Sequence, residues 1–197
     1  GGFVMDETTF LVALLDPAGY SDDGATVSTI NGASFSSTNT WAKSAETVLG
    51  GSWATLVGTP NVVDIRNMTK NRAMRYDLSS GDLIVVYETG QTIDYPTISW
   101  DVRNENYNMT ISIRTLQDER GAADANFARS RLENLYKVLR HRIEHNRKGV
   151  TIALSDGESL KMNQLFVGNR TESNDRNKRL FGYKLTADMK KYAVTIP

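Results

Sequence analysis

LIVVYE (Leu83–Glu88), TISWDV (Thr97–Val102), YNMTISIRT (Tyr107–Thr115) and FARSRLENLYKVLRHRIEHN (Phe127–Asn146) decide the fold, because the hydrophobic period changes along them. The first is a short apolar run. In the second, Ile98, Trp100 and Val102 alternate with Thr97, Ser99 and Asp101. In the third, Tyr107, Met109, Ile111 and Ile113 alternate with Asn108, Thr110, Ser112 and Arg114. Side chains along a strand point to opposite faces in turn, so these runs predict half-buried strands of an antiparallel sheet. Asn104-Glu105-Asn106 then reads as the loop of a hairpin between the second and third runs. Beyond Gln117 the period becomes helical: Ala128, Leu132, Leu135, Leu139 and Ile143 form one apolar stripe, early acids and late bases suit the helix dipole, and Gly149 closes it. The fold class expected is α+β, a small antiparallel or mixed sheet packed against one long amphipathic helix, plus a short N-terminal helix and an extended N-terminal arm.

Outward from that block the chain is less regular. Thr40 is placed to cap a short helix over Trp41–Leu49, with Gly50-Gly51 as its stop. Trp53–Ile65 is ambiguous: Val62 and Val63 favour strand, while Gly58 and Pro60 punctuate it. Arg66–Arg75 reads RNMTKNRAMR, four bases without an acid, a pattern of solvated loops and, less often, of contact patches. After the helix come Val150–Leu154, Leu165–Val167, a polar loop over Thr171–Arg179, and closing strand segments at Leu180–Leu185 and Tyr192–Ile196. Residues 1–40 differ: past the apolar Phe10–Leu15, they are crowded with Gly, Ser, Thr, Asn and Asp and show no period. Such composition favours loops or a partner-dependent arm over an independent core. The organisation expected is therefore a polar, acidic arm at 1–40 and one α+β domain at 41–197.

Composition bounds the function. A chain of 197 residues, 40 % hydrophobic and 23 % charged, is long enough for a real core. Without cysteine there are no disulfides, thiolate metal sites or cysteine nucleophiles, which fits a reducing compartment. No apolar run is long enough for a membrane span, and Asp6 and Glu7 stand where a signal peptide would carry bases. No membrane role is expected, and the N-x-Thr matches at Asn67, Asn108 and Asn169 read as chance. Net charge is zero but uneven: residues 1–65 carry seven acids and one base, residues 118–197 ten acids and sixteen bases. That polarity suits head-to-tail packing of copies or a partner of opposite sign. Zero total charge gives no long-range attraction to phosphate, which argues against nucleic acid as the main ligand.

One motif carries chemistry by its spacing. His141-Arg142-Ile143-Glu144-His145 matches H-x-x-E-H, in which two histidines one turn apart bind zinc and the glutamate activates water. The helical wheel turns all three away from the Leu132/Leu135/Leu139 stripe, towards solvent, and the chain has no third histidine. A zinc hydrolase is the rival reading from another class; no catalytic residue, metal or cofactor is expected. No G-x-S-x-G, P-loop or G-x-G-x-x-G occurs. Asp22-Asp23, and Asp101 with Glu105 at the expected hairpin turn, read as turn solvation. Tyr95, Trp100, Tyr107, Phe127 and Tyr136 read as core or interface anchors.

The order of these elements resembles the tail terminator (tail completion, or neck) proteins of long-tailed bacteriophages. The parallel runs through Trp41–Leu49, Leu83–Glu88, Ile98–Val102, Tyr107–Thr115, Phe127–Asn146, Leu180–Leu185 and Tyr192–Ile196, with Tyr95-Pro96-Thr97-Ile98 leading into a strand and a polar Arg-rich loop before the last one. It covers roughly residues 41–197; the acidic 1–40 segment departs from it. The resemblance implies a non-enzymatic virion protein assembled in the host cytoplasm. Such a protein forms a ring, usually of six copies, on the head-proximal end of the tail tube. It stops tube polymerisation and joins the head-side connector, with genomic DNA only passing through its channel. A head-side adaptor or stopper of the same virion is the neighbouring reading. On this resemblance the 1–40 arm and the segment with Arg66, Lys70, Arg72 and Arg75 are expected at contacts between subunits or with the tube, and the loop with Arg170, Arg176 and Arg179 at a neighbouring protein.

Overall fold

A computed structural model describes residues 5–17, 19, 21–22, 25–35, 40–66, 82–96, 98, 101–116, 122–174 and 180–194. The first helix, α1 (Glu7–Leu15), starts where the Asp6 carboxylate accepts the Thr9 N–H at 2.8 Å. Every residue from Thr8 to Leu15 is buried. A short helix apolar on all sides is stable only when enclosed, and α1 packs against both sheets and the longest helix.

Next come β1 (Ser21–Asp22), β2 (Ala25–Ile30) and β3 (Ala33–Ser34). The β2–β3 hairpin turns at Asn31-Gly32, both with positive φ (53° and 77°), the conformation a two-residue primed turn demands. Helix α2 (Trp41–Leu49) has the expected bounds: Thr40 Oγ1 accepts the Lys43 N–H at 3.2 Å, and Gly50 takes φ 85° at its end. A single turn, α3 (Trp53–Leu56), leads to β4 (Asn61–Asp64). The long strands β5 (Leu83–Asp94) and β6 (Val102–Leu116) precede α4 (Ala122–His145). After it come β7 (Val150–Leu154), β8 (Ser159–Met162), β9 (Gln164–Glu172) and β10 (Leu180–Val194).

These strands form two five-stranded sheets. One has the order β1-β2-β7-β8, with β3 on the free part of β2; the other has the order β4-β5-β6-β10-β9, antiparallel except for β4 beside β5. One main core joins them. Ile84, Val86, Met109, Ile111, Ile113, Leu185, Ala187 and Met189 face Leu132, Leu135, Val138, Leu139 and Ile143 of α4, with Phe10, Leu11, Leu14 and Leu15 of α1 and Trp41 of α2 in the same cluster. The other face of the larger sheet holds a small separate cluster of Val63, Leu83 and Val85. Within β10, which lies between β6 and β9, Gly182 is required by close approach: a Cβ there would lie 2.7 Å from the Ser173 carbonyl oxygen and 2.9 Å from that of Ile113.

The fold class expected from the sequence is corrected here. Among the described residues strand outweighs helix, 48 % against 29 %, and there are two sheets instead of one small sheet under one long helix. The core is shared among three helices and both sheets, so no single helix covers it. The extended N-terminal arm is corrected with it, because α1 is core and β2 pairs with β7 through Val27↔Leu154 and Ile30↔Ile152. The hairpin loop at Asn104-Glu105-Asn106 does not exist. Those residues lie inside β6, paired on one side to Thr92, Ile93 and Asp94 and on the other to Lys190, Lys191 and Tyr192. The antiparallel pair is β5–β6, with β5 ending at Asp94 and β6 beginning at Val102. Of the strand expected over Thr97–Val102, Ile98 lies in a turn and pairing begins at Val102; Thr97, Ser99 and Trp100 lie outside the described residues. The closing segments are one continuous strand, β10, up to Val194.

Candidate interaction surface

The β5–β6–β10 ribbon outruns its helical cover. At about 3.4 Å per residue, fifteen-residue strands reach roughly 50 Å. The apolar pattern of β5 stops at Val86, and beyond Tyr87 every residue except half-buried Gly90 is exposed. The register slips between Glu88 and Gly90, a bulge that bends the ribbon where it leaves the core. Its tip is apolar. Ile98 is 99 % exposed, Ile93 46 % and Tyr95 40 %.

Where the ribbon departs, polar groups fix its root. Buried Glu105 accepts the Tyr107 hydroxyl at 2.8 Å and pairs with Arg103 at 2.9 Å, while Gln91 Nε2 donates to the Tyr107 oxygen at 3.3 Å. Burial, then the bond to Glu105, pushes the Tyr107 phenol above its usual range. Glu105 is therefore a structural acceptor under the sheet, and the turn-solvation reading is corrected.

Arg66 was expected in a contact segment. It clamps the chain's own elements: Nε donates to Asp64 at 2.8 and 3.1 Å, Nη2 also reaches Asp64, and Nη1 and Nη2 reach Asp6 at 2.6 and 3.1 Å. The N-cap of α1 is thus tied to the end of β4. Burial would raise the Asp6 carboxyl, but bonds from Arg66 and Thr9 outweigh it and hold Asp6 low. Bonds to Asp64 and Asp6 hold the Arg66 guanidinium above its usual range. Lys70, Arg72 and Arg75 lie outside the described residues.

Arg170 is also engaged within the chain. Its guanidinium lies 4.3 Å over the Tyr183 ring and 4.5 Å over Tyr136, and Nη1 pairs with Glu133 at 3.1 Å. The Tyr183 hydroxyl donates to the same carboxylate at 2.9 Å. This stacked cation fastens β9 to α4. Arg176 and Arg179 lie outside the described residues.

The zinc-like motif sits at the end of α4. The His141 and His145 rings stack at 5.6 Å with 18° between planes, and Glu144 accepts Arg140 Nε at 2.8 Å. Among the described residues no group of three or more His, Cys, Asp or Glu side chains is placed to hold a metal ion. Between the motif residues, Arg142 points inward, 1 % exposed, and donates from Nε to the Leu14 carbonyl at 2.8 Å. A cation there meets the negative end of the α1 dipole. Burial still pushes its pKa down to about 10.

His141 yields a pH prediction. Burial, then the neighbouring His145, lowers its pKa from the usual 6.5. A base whose folded pKa is depressed contributes stability that is present above the unfolded pKa and is lost as pH falls towards the folded one. Urea midpoints should therefore fall between pH 7.5 and pH 5.5, and His141→Gln should flatten that slope. An unchanged slope in the variant would exclude His141 as the group responsible.

The chain matches no protein-family profile, and no curated protein matches it in sequence.

Proposed function

We propose that this chain is a structural assembly subunit that joins copies of itself into a closed ring. We further propose, from the resemblance in element order, that the ring caps the head-proximal end of a phage tail tube. There it would end tube polymerisation, meet the head-side connector and act without catalysis. The observation that carries the reading is the ribbon tip. Ile93, Tyr95 and Ile98 are exposed apolar residues near the end of the ribbon, where β6 is paired to β5 as far as Asp94 and to β10 as far as Val194. Isolated exposed apolar residues are ordinary, but several at the end of a projecting hairpin fit a contact completed by another subunit. The uneven charge of the two chain ends supports the same arrangement, because a heterologous contact that closes a ring joins two different surfaces. The order α2, β5, β6, α4, β10 over residues 41–194 is the part of the fold on which the phage reading rests.

Native mass spectrometry over a range of concentrations tests it. The expected result is a closed oligomer without bound metal, which Ile98→Lys converts to monomer while the melting temperature stays within a few degrees. Ile98 has no packing to lose, so a loss of assembly without a loss of stability would isolate the tip. A monomer at every concentration that also fails to bind isolated tails would end this reading. One zinc bound per chain would favour the hydrolase instead.

A further inference from the structure

The face of the ribbon opposite the main core is polar. Pairing across β5, β6 and β10 sets two rows side by side, Thr92–Asn106–Lys190 and Asp94–Asn104–Tyr192. Strands about 4.8 Å apart and alternate residues about 6.8 Å apart make this a grid of roughly 10 by 7 Å. The same six side chains line an open cleft of about 270 Å³. The grid holds one carboxylate and one ammonium, so its net charge is zero and it selects neither anion nor cation. What it offers is a dense mixture of donors and acceptors, including two side-chain amides, each presenting both kinds side by side. The Asn106 Oδ1 atom is enclosed and accepts no hydrogen bond among the described residues. Tyr192, which also lines the cleft, is 46 % exposed.

We propose that this cleft binds a neutral saccharide of one or two rings. Adjacent hydroxyls of a sugar each donate and accept, as the amides of Asn104 and Asn106 do, and the C–H face of a pyranose suits the exposed tyrosine ring. The cleft lies near the small end of ligand pockets, which span roughly 300–1,000 Å³. The proposal is independent of the ring reading, which rests on Ile93, Tyr95 and Ile98.

Saturation-transfer difference NMR tests it on the full chain, because signals are read on the sugar and are visible whether the protein is monomeric or assembled. Maltose, cellobiose, lactose and N,N′-diacetylchitobiose serve as probes at millimolar concentration. At least one should show transfer, with the strongest effects on ring C–H protons. Tyr192→Ala should weaken that binding roughly tenfold, Asn106→Ala similarly, and Tyr192→Phe should keep most of it. Tyr192 is exposed and Asn106 half-buried on the sheet face, and circular dichroism confirms that each of the three variants is folded. No transfer to any of the four sugars overturns the proposal. So does transfer that Tyr192→Ala and Asn106→Ala leave unchanged.

Discussion

Leu14→Ala is expected to lower the free energy of unfolding by about 3–5 kcal/mol, read as a shift in the urea midpoint at unchanged slope. Leu14 is fully buried on a helix that is enclosed all round, so truncation removes both its transfer free energy and its fill of the space between α1 and α4. The neighbouring Arg142–Leu14 carbonyl bond and the core contacts of Phe10 and Leu11 hold α1 in place, leaving little freedom for the cavity to collapse. Residues 1–40 would tolerate the change if they were an appended arm. A loss below about 1 kcal/mol would return them to that status.

The second large effect concerns Asp82 and Arg131. Arg131 Nε donates to both carboxylate oxygens of Asp82, at 3.0 and 3.1 Å, with the Asp82 side chain 2 % exposed and that of Arg131 24 % exposed. Burial raises the Asp82 pKa even though Arg131 pulls it down, so desolvation outweighs attraction. A pair in that condition adds little net stability, yet removing Asp82 takes from Arg131 the carboxylate that offsets the desolvation of its guanidinium. Asp82→Ala alone should cost about 3 kcal/mol, while Asp82→Ala with Arg131→Met should recover most of that. The double-variant cycle, measured by urea denaturation near pH 7, carries the claim. Equal losses in single and double variants would mean that the pair stabilises the fold outright. Acidification acts on the same group: a raised folded pKa favours the folded state as Asp82 protonates, which opposes the loss expected from His141 at higher pH.

What the sequence made legible follows from how local each signal is. Thr40 and Gly50 delimit α2 because capping depends on a few adjacent backbone groups. The stripe from Ala128 to Ile143 is buried as its spacing requires. The alternation from Tyr107 to Thr115 is real, but Asn104-Glu105-Asn106 is drawn into β6 by partners on both sides, which no window of neighbouring residues reveals. The sheet built on β2 and β7 carries one strong local signal inside a segment that otherwise shows no period. Asn31-Gly32 between Thr29-Ile30 and Ala33-Ser34 is the dipeptide that primed hairpin turns prefer, and the surrounding Gly, Ser and Asp hid it. Its other partner, β7, lies over a hundred residues away. Arg66 and Arg170 stand out in the sequence by charge alone, whereas their geometry is set by Asp6, Asp64, Glu133 and two tyrosine rings brought near by the fold. The ribbon tip needed the register of β5 and β6 before Ile98 could be seen to stand clear of the core.

The enclosure of α1 also imposes an order of events during synthesis. Its walls are β4, β5, α4 and β7, all of them later in the chain. At roughly 5–20 residues per second, the roughly 130 residues between Leu15 and β7 take on the order of ten seconds to emerge. Throughout that interval the most apolar segment of the protein leaves the ribosome without the surfaces that will hide it. The fold closes late around what was made early, so the vulnerable period of this chain is fixed by its topology as much as by its stability.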